Sequence, residues 1–371
     1  MTYLHVKIED IQIYSVSIPL KAPVKMAGIS VETADNLIVS IIGNNGNIGW
    51  GEASSAPTMT GEFVQGMVAA AQFVKLSMVG KIISNLQDIK TLIKTPLYGN
   101  EGAISALEMA MLDLFARTNN CSLAELLGGG KRQSVRALTM IAGGTLEEEI
   151  ERAKAKQQEG FEAFKVKVGS NSPEYDLKRC IMIRKALGSE AFISADANEG
   201  FAVPEAIEFA KAAKDAGIDF FEQPVPAHDV NLIKEVALAS SVPLGADEGV
   251  HSISDISELV TASAVKGCSL KTIKLGGMLA VLDAAKHANS LGLSINLAGK
   301  VGETSISSSA VAILACLVPN INWDVSITNQ YLLIDPVTDV VPIKDGKILI
   351  PQGKGLGTKI DEKKIEPYLV H

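Results

Sequence analysis

The feature that most constrains this chain is a recurrence. Short apolar runs end in a charged or amide residue at Lys167, Asp196, Glu222, Asp247, Lys271 and Asn296, at intervals of 24 to 29 residues. Each interval contains a helix-like segment, so the repeat has the length of one strand–helix unit. A run of such units with right-handed crossovers and no strong interruption favours a closed barrel, whose strand ends converge on one face. That face would hold lysines, carboxylates and an amide. In the unit Ala163–Gly169, Phe164, Val166 and Val168 alternate with Lys165 and Lys167. A strand there turns both ammonium groups to one side.

A barrel commonly takes about 250 residues, and the chain has 371, which leaves room for one smaller domain. Before the barrel, Ile11–Leu20, Leu37–Ile42 and residues 48–52 read as strands of an antiparallel meander. Two loops rich in Pro, Gly and hydroxyls, residues 21–28 and 53–61, are candidate lids, with Lys25 and Thr58 as candidate substrate contacts. A helix is expected over Ala103–Ala116 from the spacing of Ile104, Leu107, Met111, Leu114 and Phe115. Leu126-Leu127-Gly128-Gly129-Gly130 breaks the helical pattern, and a strand follows at Val135–Ile141. The expected division is an N-terminal α+β cap over 1–130, a barrel over 131–330 and a C-terminal segment over 331–371. That segment, with short strands at Tyr331–Ile334 and residues 346–351, is too small to fold alone. It is expected to return and complete the cap over the barrel mouth.

A net charge of −8 without any long Lys/Arg run argues against nucleic acid or an anionic membrane as partner. The charged N-terminus does not resemble a signal peptide, and no apolar stretch approaches the roughly 20 residues of a membrane span; a cytoplasmic location is expected. Cys121, Cys180, Cys268 and Cys316 share no CxxC spacing, and the five histidines show no HxxH or HxxxH spacing. The cysteines read as reduced and structural, and any metal is expected on oxygen.

Three carboxylates on consecutive strand ends, Asp196, Glu222 and Asp247, repel one another in a low-dielectric site unless a cation joins them. Hard oxygen donors suit Mg²⁺, with Mn²⁺ as a substitute, and leave positions for a substrate carboxylate. Lys167 and Lys271 lie on strands that bracket the carboxylates, a geometry that fits acid and base roles. Lys165 beside Lys167 would destabilise its ammonium and make it a better base. Lys274, three residues past Lys271, is expected to face away on a strand and to be structural.

Together, Lys165-x-Lys167, Asp196-x-Asn198, Glu222-Gln223-Pro224, Asp247-Glu248 and Lys271-x-x-Lys274-x-Gly276-Gly277 resemble the muconate lactonizing enzyme subgroup of the enolase superfamily, over nearly the whole chain. The resemblance implies an α/β fold, a modified TIM barrel of (β/α)7β form with an α+β capping domain, and a homo-oligomer. It also implies Mg²⁺ held by Asp196, Glu222 and Asp247, with Lys167 and Lys271 as the acid/base pair. The reaction implied is removal of the proton next to a substrate carboxylate to give a metal-stabilised enolate, a mechanism already described for this superfamily.

The segment 56–62 resembles the loop of dipeptide epimerases, which favours a racemase or epimerase of a dipeptide or N-substituted amino acid. The alternative is a muconate-type cycloisomerase; a dehydratase of acid sugars or a non-catalytic small-acid binder ranks third. Two departures stand out. Dipeptide epimerases carry Asp-x-Asp on the last barrel strand to hold the substrate ammonium, whereas this chain reads Asn322-Trp323-Asp324, one charge short. After Asn296, the subgroup's Gly-x-x-x-Glu pattern is kept by Gly299 and Glu303, but Lys300 occupies a place where a small or apolar residue is usual. Lys300 could meet an extra substrate anion.

Overall fold

The computed structural model describes residues 3–26, 29–93, 97–130 and 132–370. Strands β1 (Val6–Met26), β2 (Ile29–Gly43), β3 (Ile48–Ser54) and β4 (Ile82–Ile83) form an antiparallel sheet in the order β3-β2-β1-β4. The first two strands outrun their sequence-based bounds. Pairing continues past a register shift between Pro19 and Val24 to Met26↔Ile29, so part of the expected first lid is strand.

Three helices cover this sheet: α1 (Val64–Met78), α2 (Leu86–Ile93) and α3 (Glu101–Thr118). Helix α3 is buried along nearly its whole length, including Glu108 and Asp113. It lies so close to β3 that a Cβ at Gly51 would come 1.9 Å from the Ala106 carbonyl oxygen, and one at Gly49 2.1 Å from that of Ala110. Glycine at these positions is what lets helix and strand backbones touch.

Strand β5 (Ser134–Arg136) and strand β6 (Leu138–Ile141) were expected as one; Ala137 separates them. From β6 the chain alternates strictly: β7 (Ala163–Lys167), β8 (Phe192–Asp196), β9 (Phe220–Glu222), β10 (Leu244–Ala246), β11 (Gly267–Leu270), β12 (Ser294–Ala298) and β13 (Val325–Ser326), with helical connections between. All eight strands from β6 to β13 pair in parallel, each with its sequence neighbour. A parallel Ala137–Val325 bridge joins the two ends and closes the barrel. Eight strands and seven helical crossovers are the expected (β/α)7β form.

At the N-terminal end of the barrel, Trp323 stacks on Phe220 with ring centroids 3.9 Å apart and planes 2° from parallel. A Cβ at Gly267 would come 2.3 Å from the Trp323 ring, so the indole plugs that end. The C-terminal segment contributes β14 (Ile343–Lys344) and β15 (Lys347–Leu349), which pair with β5. It also meets the first sheet through the bridges Leu20–Leu332 and Val16–Leu369. Residues Asn329–Tyr331 form a 3-10 turn where a strand beginning at Tyr331 was expected. Tyr331 is turned toward the pocket, and its hydroxyl accepts a hydrogen bond from Met140 N–H. No described helix is long and apolar enough to cross a membrane.

Candidate active site

The C-terminal ends of the barrel strands open into a pocket lined by Lys165, Lys167, Asp196, Asn198, Asp247, Lys271 and Lys300. Met59 from the cap and Leu138, Met140 and Ile327 from the barrel give it apolar walls. Lys165 and Lys167 share a face of β7, as alternation requires. Lys165 pairs closely with Glu222, and its Nζ lies 3.7 Å from Asp196 Oδ2. Lys167 Nζ donates to Asp196 Oδ2 at 2.6 Å and to Asn198 Oδ1 at 2.5 Å.

Across the pocket, Lys271 Nζ donates to Asp247 Oδ2 at 2.5 Å and lies 3.6 Å from the Met59 sulfur. Lys274 is not on a strand facing away. The chain turns helical at Thr272–Leu275 directly after Lys271, which brings Lys274 back against Asp247 Oδ1 at 2.7 Å, fully buried.

These charges set one another. Burial disfavours the charged form of Lys165, but Glu222, Asp196 and Asp247 outweigh it and push its pKa above the ordinary lysine value. Burial likewise opposes ionisation of Asp247, yet Lys271, Lys274 and Lys165 hold its carboxyl far below the usual range. Lys271 is raised in the same way: burial works against the ammonium, and Asp247 and Glu248 overcome it. Burial raises Glu222 despite its lysine. Ion pairing thus keeps Lys165 and Lys271 as ammonium ions.

Other residues position this set. Asn198, at φ 41°, receives Lys167, donates from its backbone to Asp196 Oδ1 at 3.0 Å and from its side chain to Glu248 Oε1 at 2.9 Å. Glu248 is pushed up to about 7 by burial and by Asp247 and Asp196. Gln223, also at positive φ, accepts from the N–H groups of Asp247 and Gly249 at 3.0 and 3.2 Å, fixing the loop that carries Asp247. The Ser269 hydroxyl bonds Glu222 Oε1 and lies 3.1 Å from Asn296 Oδ1. Asn296 in turn donates to the carbonyls of Trp323 and Asp324, so it ties β12 to β13 beneath the pocket. Glu303 is buried behind Gly299, with burial pushing it up to about 8 and one oxygen without a hydrogen bond.

Two expected substrate contacts, Asp324 and Thr58, are not brought to the pocket. Asp324 makes a two-point pair with Arg136, Nε–Oδ1 2.8 Å and Nη2–Oδ2 2.9 Å, at the opposite end of the barrel. The physical reason is register: β13 starts only at Val325, so the residues that reach the pocket from it are Ser326, Ile327 and Thr328. Asn322 is exposed in the turn before β13, so the missing charge inferred there has no bearing on the pocket. Thr58 is exposed, and its neighbour Met59 is the one that reaches in. The side chain of Lys25 lies outside the described residues.

Met59, Ser269 and Gln223 were not identified as site residues from sequence. A thioether and a hydroxyl carry no motif signal, and Gln223 was legible only as part of Glu-Gln-Pro.

The donor chemistry fits a hard divalent cation: Asp196, Glu222 and Asp247 are buried oxygen donors, close enough that the charge of Asp247 raises Asp196 and both raise Glu222. In the present arrangement the ammonium groups occupy the space between them. Among the described residues no three metal-binding side chains converge on one point.

Comparison with known proteins agrees with this architecture. Residues 8–128 match the family "Mandelate racemase / muconate lactonizing enzyme, N-terminal domain", and residues 148–364 match "Enolase C-terminal domain-like". A chloromuconate cycloisomerase of Pseudomonas sp. (strain P51) is 30% identical over 366 residues, covering 98% of this chain and 99% of the relative. An L-Ala-D/L-Glu epimerase of Clostridium acetobutylicum is 32% identical over 312 residues, covering 82% of this chain and 87% of the relative. The crystal structure of a dipeptide epimerase from Cytophaga hutchinsonii, complexed with Mg and the dipeptide D-Ala-L-Val, superposes with a TM-score of 0.90 at 26% identity, covering 100% of this chain and 99% of that one. The chain belongs to the muconate lactonizing enzyme subgroup of the enolase superfamily and is one of its isomerases.

Proposed function

We propose that this isomerase moves a proton on the carbon next to a substrate carboxylate, as a racemase or epimerase of an N-substituted amino acid or dipeptide. The observation that carries the reading is the opposition of Lys167 and Lys271. They sit at the ends of β7 and β11, four strands apart in a closed eight-stranded barrel, which is half its circumference. One ammonium group can deliver a proton to one face of a planar carbon while the other, as an amine, removes it from the opposite face.

Enzymes of this subgroup generally use a divalent metal, and we assign it, as Mg²⁺, to Asp196, Glu222 and Asp247. When bound, it would neutralise the carboxylates that now pair with the lysines and stabilise negative charge developing on the substrate carboxylate. Glu248 and Asn198 orient Lys167 and Asp196; the apolar walls and Met59 exclude water from the reacting carbon.

A second reading, a muconate-type cycloisomerase, is favoured by one observation. Among the described residues lining the pocket the only acids are Asp196 and Asp247, and no further carboxylate stands ready for the free ammonium of a dipeptide. Within the first reading, the same fact favours an N-acylated substrate. Proton NMR of N-acyl amino acids and L,L-dipeptides with enzyme and Mg²⁺ in D₂O tests the choice. Loss of the α-proton signal is expected; silence across the panel with turnover of cis,cis-muconate would make the second reading the correct one.

A further inference from the structure

Lys300 is the one lysine of the pocket without a carboxylate partner among the described residues. Lys165 pairs with Glu222, Lys167 with Asp196, and Lys271 and Lys274 with the two oxygens of Asp247. Lys300 is 9% exposed and lines the pocket, and among the described residues the only hydrogen bond its ammonium makes is a long one of 3.5 Å to the Val301 carbonyl. That length is outside the range of a good N–H···O bond. The nearest acid in sequence, Glu303, forms no ion pair with it and is held protonated near neutral pH by burial. A buried ammonium left without a partner is costly and is ordinarily paired.

The backbone carrying Lys300 is nonetheless firmly held. Its carbonyl accepts from the Thr328 hydroxyl at 2.6 Å and from Glu303 N–H at 3.1 Å, and the preceding Gly299 N–H donates to the Ser326 carbonyl at 2.8 Å. The cation is therefore presented on a fixed loop between β12 and β13 rather than on a mobile surface stem. Burial first, and then the positive field of Lys271, outweigh the opposing pull of Glu303 and, with Lys167 adding to them, bring Lys300 down to about 8, so both reacting lysines are its neighbours. An anion placed against Lys300 would relieve that repulsion.

We infer that Lys300 is a specificity-determining residue that reads a second carboxylate on the substrate, distinct from the one next to the exchanging proton. The substrate class is then a dicarboxylate, with its far carboxylate lodged between the loops after β12 and β13. This rests on the proton-transfer reading only for which carboxylate is the first.

The test uses matched acid and amide pairs with the full-length enzyme in Mg²⁺-containing buffer: N-succinyl-L-phenylalanine against its succinamide analogue, L-Ala-L-Glu against L-Ala-L-Gln, and cis,cis-muconate against its monoamide. Dissociation constants are measured by titration calorimetry, and α-proton exchange is followed in D₂O on the same amino-acid samples. A charge-assisted contact predicts that at least one acid binds about 10- to 100-fold more tightly than its amide. Lys300→Met should bring that ratio to about one, and Lys300→Arg should keep part of it. The pair that responds tells whether the second carboxylate belongs to an acyl group, a side chain or a diene.

Equal binding of acid and amide in all three pairs, or no binding, overturns the inference, and so does a preference that survives Lys300→Met. The wild-type comparison alone decides the matter if the variants do not fold. Acid preference without exchange would leave the role of Lys300 intact and remove the proton-transfer reading; exchange without acid preference would do the reverse.

Discussion

Glu108 joins cap to barrel. It projects from α3, is 2% exposed, and accepts hydrogen bonds from the N–H groups of Met278 and Leu279 at the start of the helix Met278–Ser290 that precedes β12. Burial outweighs those bonds and pushes its pKa up to about 8, against an ordinary value of 4.5. The folded protein therefore keeps a proton here that the unfolded chain has lost. Its favourable contribution is complete below about pH 4.5 and falls as pH rises toward 8, because ionisation stabilises only the unfolded state. At about 1.4 kcal/mol per unit, and allowing for partial ionisation near pH 8, the loss between pH 6 and pH 8 is about 2 kcal/mol.

Glu108→Gln keeps the carbonyl acceptor and cannot ionise. Urea unfolding of both proteins at pH 6, 7 and 8 should show the variant losing about 2 kcal/mol less stability than the wild type across that range. At pH 8 it should be the more stable of the two. Parallel stability curves for the two proteins would refute the claim that this junction is held by a protonated acid.

Further predictions concern the site. Added Mg²⁺ at about 100 times its dissociation constant should stabilise the wild type by about 2.7 kcal/mol. Glu222→Gln, which removes one buried donor, should abolish that stabilisation and the activity; full activity in chelator would contradict the metal assignment. Asp324→Asn breaks the pair with half-exposed Arg136 and should cost about 1 kcal/mol or less in a thermal melt. Because that pair lies at the plugged end of the barrel, α-proton exchange should stay within about twofold of wild type, and a loss of tenfold or more would restore Asp324 to the substrate site.

The barrel was legible because a βα repeat leaves a period that survives in one sequence, and because strand alternation tells which side chains share a face. The same logic brought Lys165, Lys167, Asp196, Glu222, Asp247 and Lys271 together. It failed where a strand ends sooner or starts later than its composition suggests. Lys274 was read on a strand, although Gly276-Gly277 four residues after Thr272 is a helix stop; Gly276 indeed closes the short helix in the left-handed region at φ 80°. Asp324 was read as a strand-end acid, whereas Trp323 must fill the closed end of the barrel and so holds its neighbour there. Met59 reaches the pocket through tertiary packing of cap on barrel, which no local pattern reports.

The central claim is that two opposed lysines each serve one face of the substrate carbon. Its most direct measurement is α-proton exchange in D₂O for both enantiomers of an accepted substrate, with wild type, Lys167→Ala and Lys271→Ala. Wild type should exchange both enantiomers, and each variant should lose exchange from one enantiomer while retaining a residual rate with the other, the two variants failing on opposite hands. Full exchange of both enantiomers by Lys271→Ala or by Lys167→Ala would contradict the account.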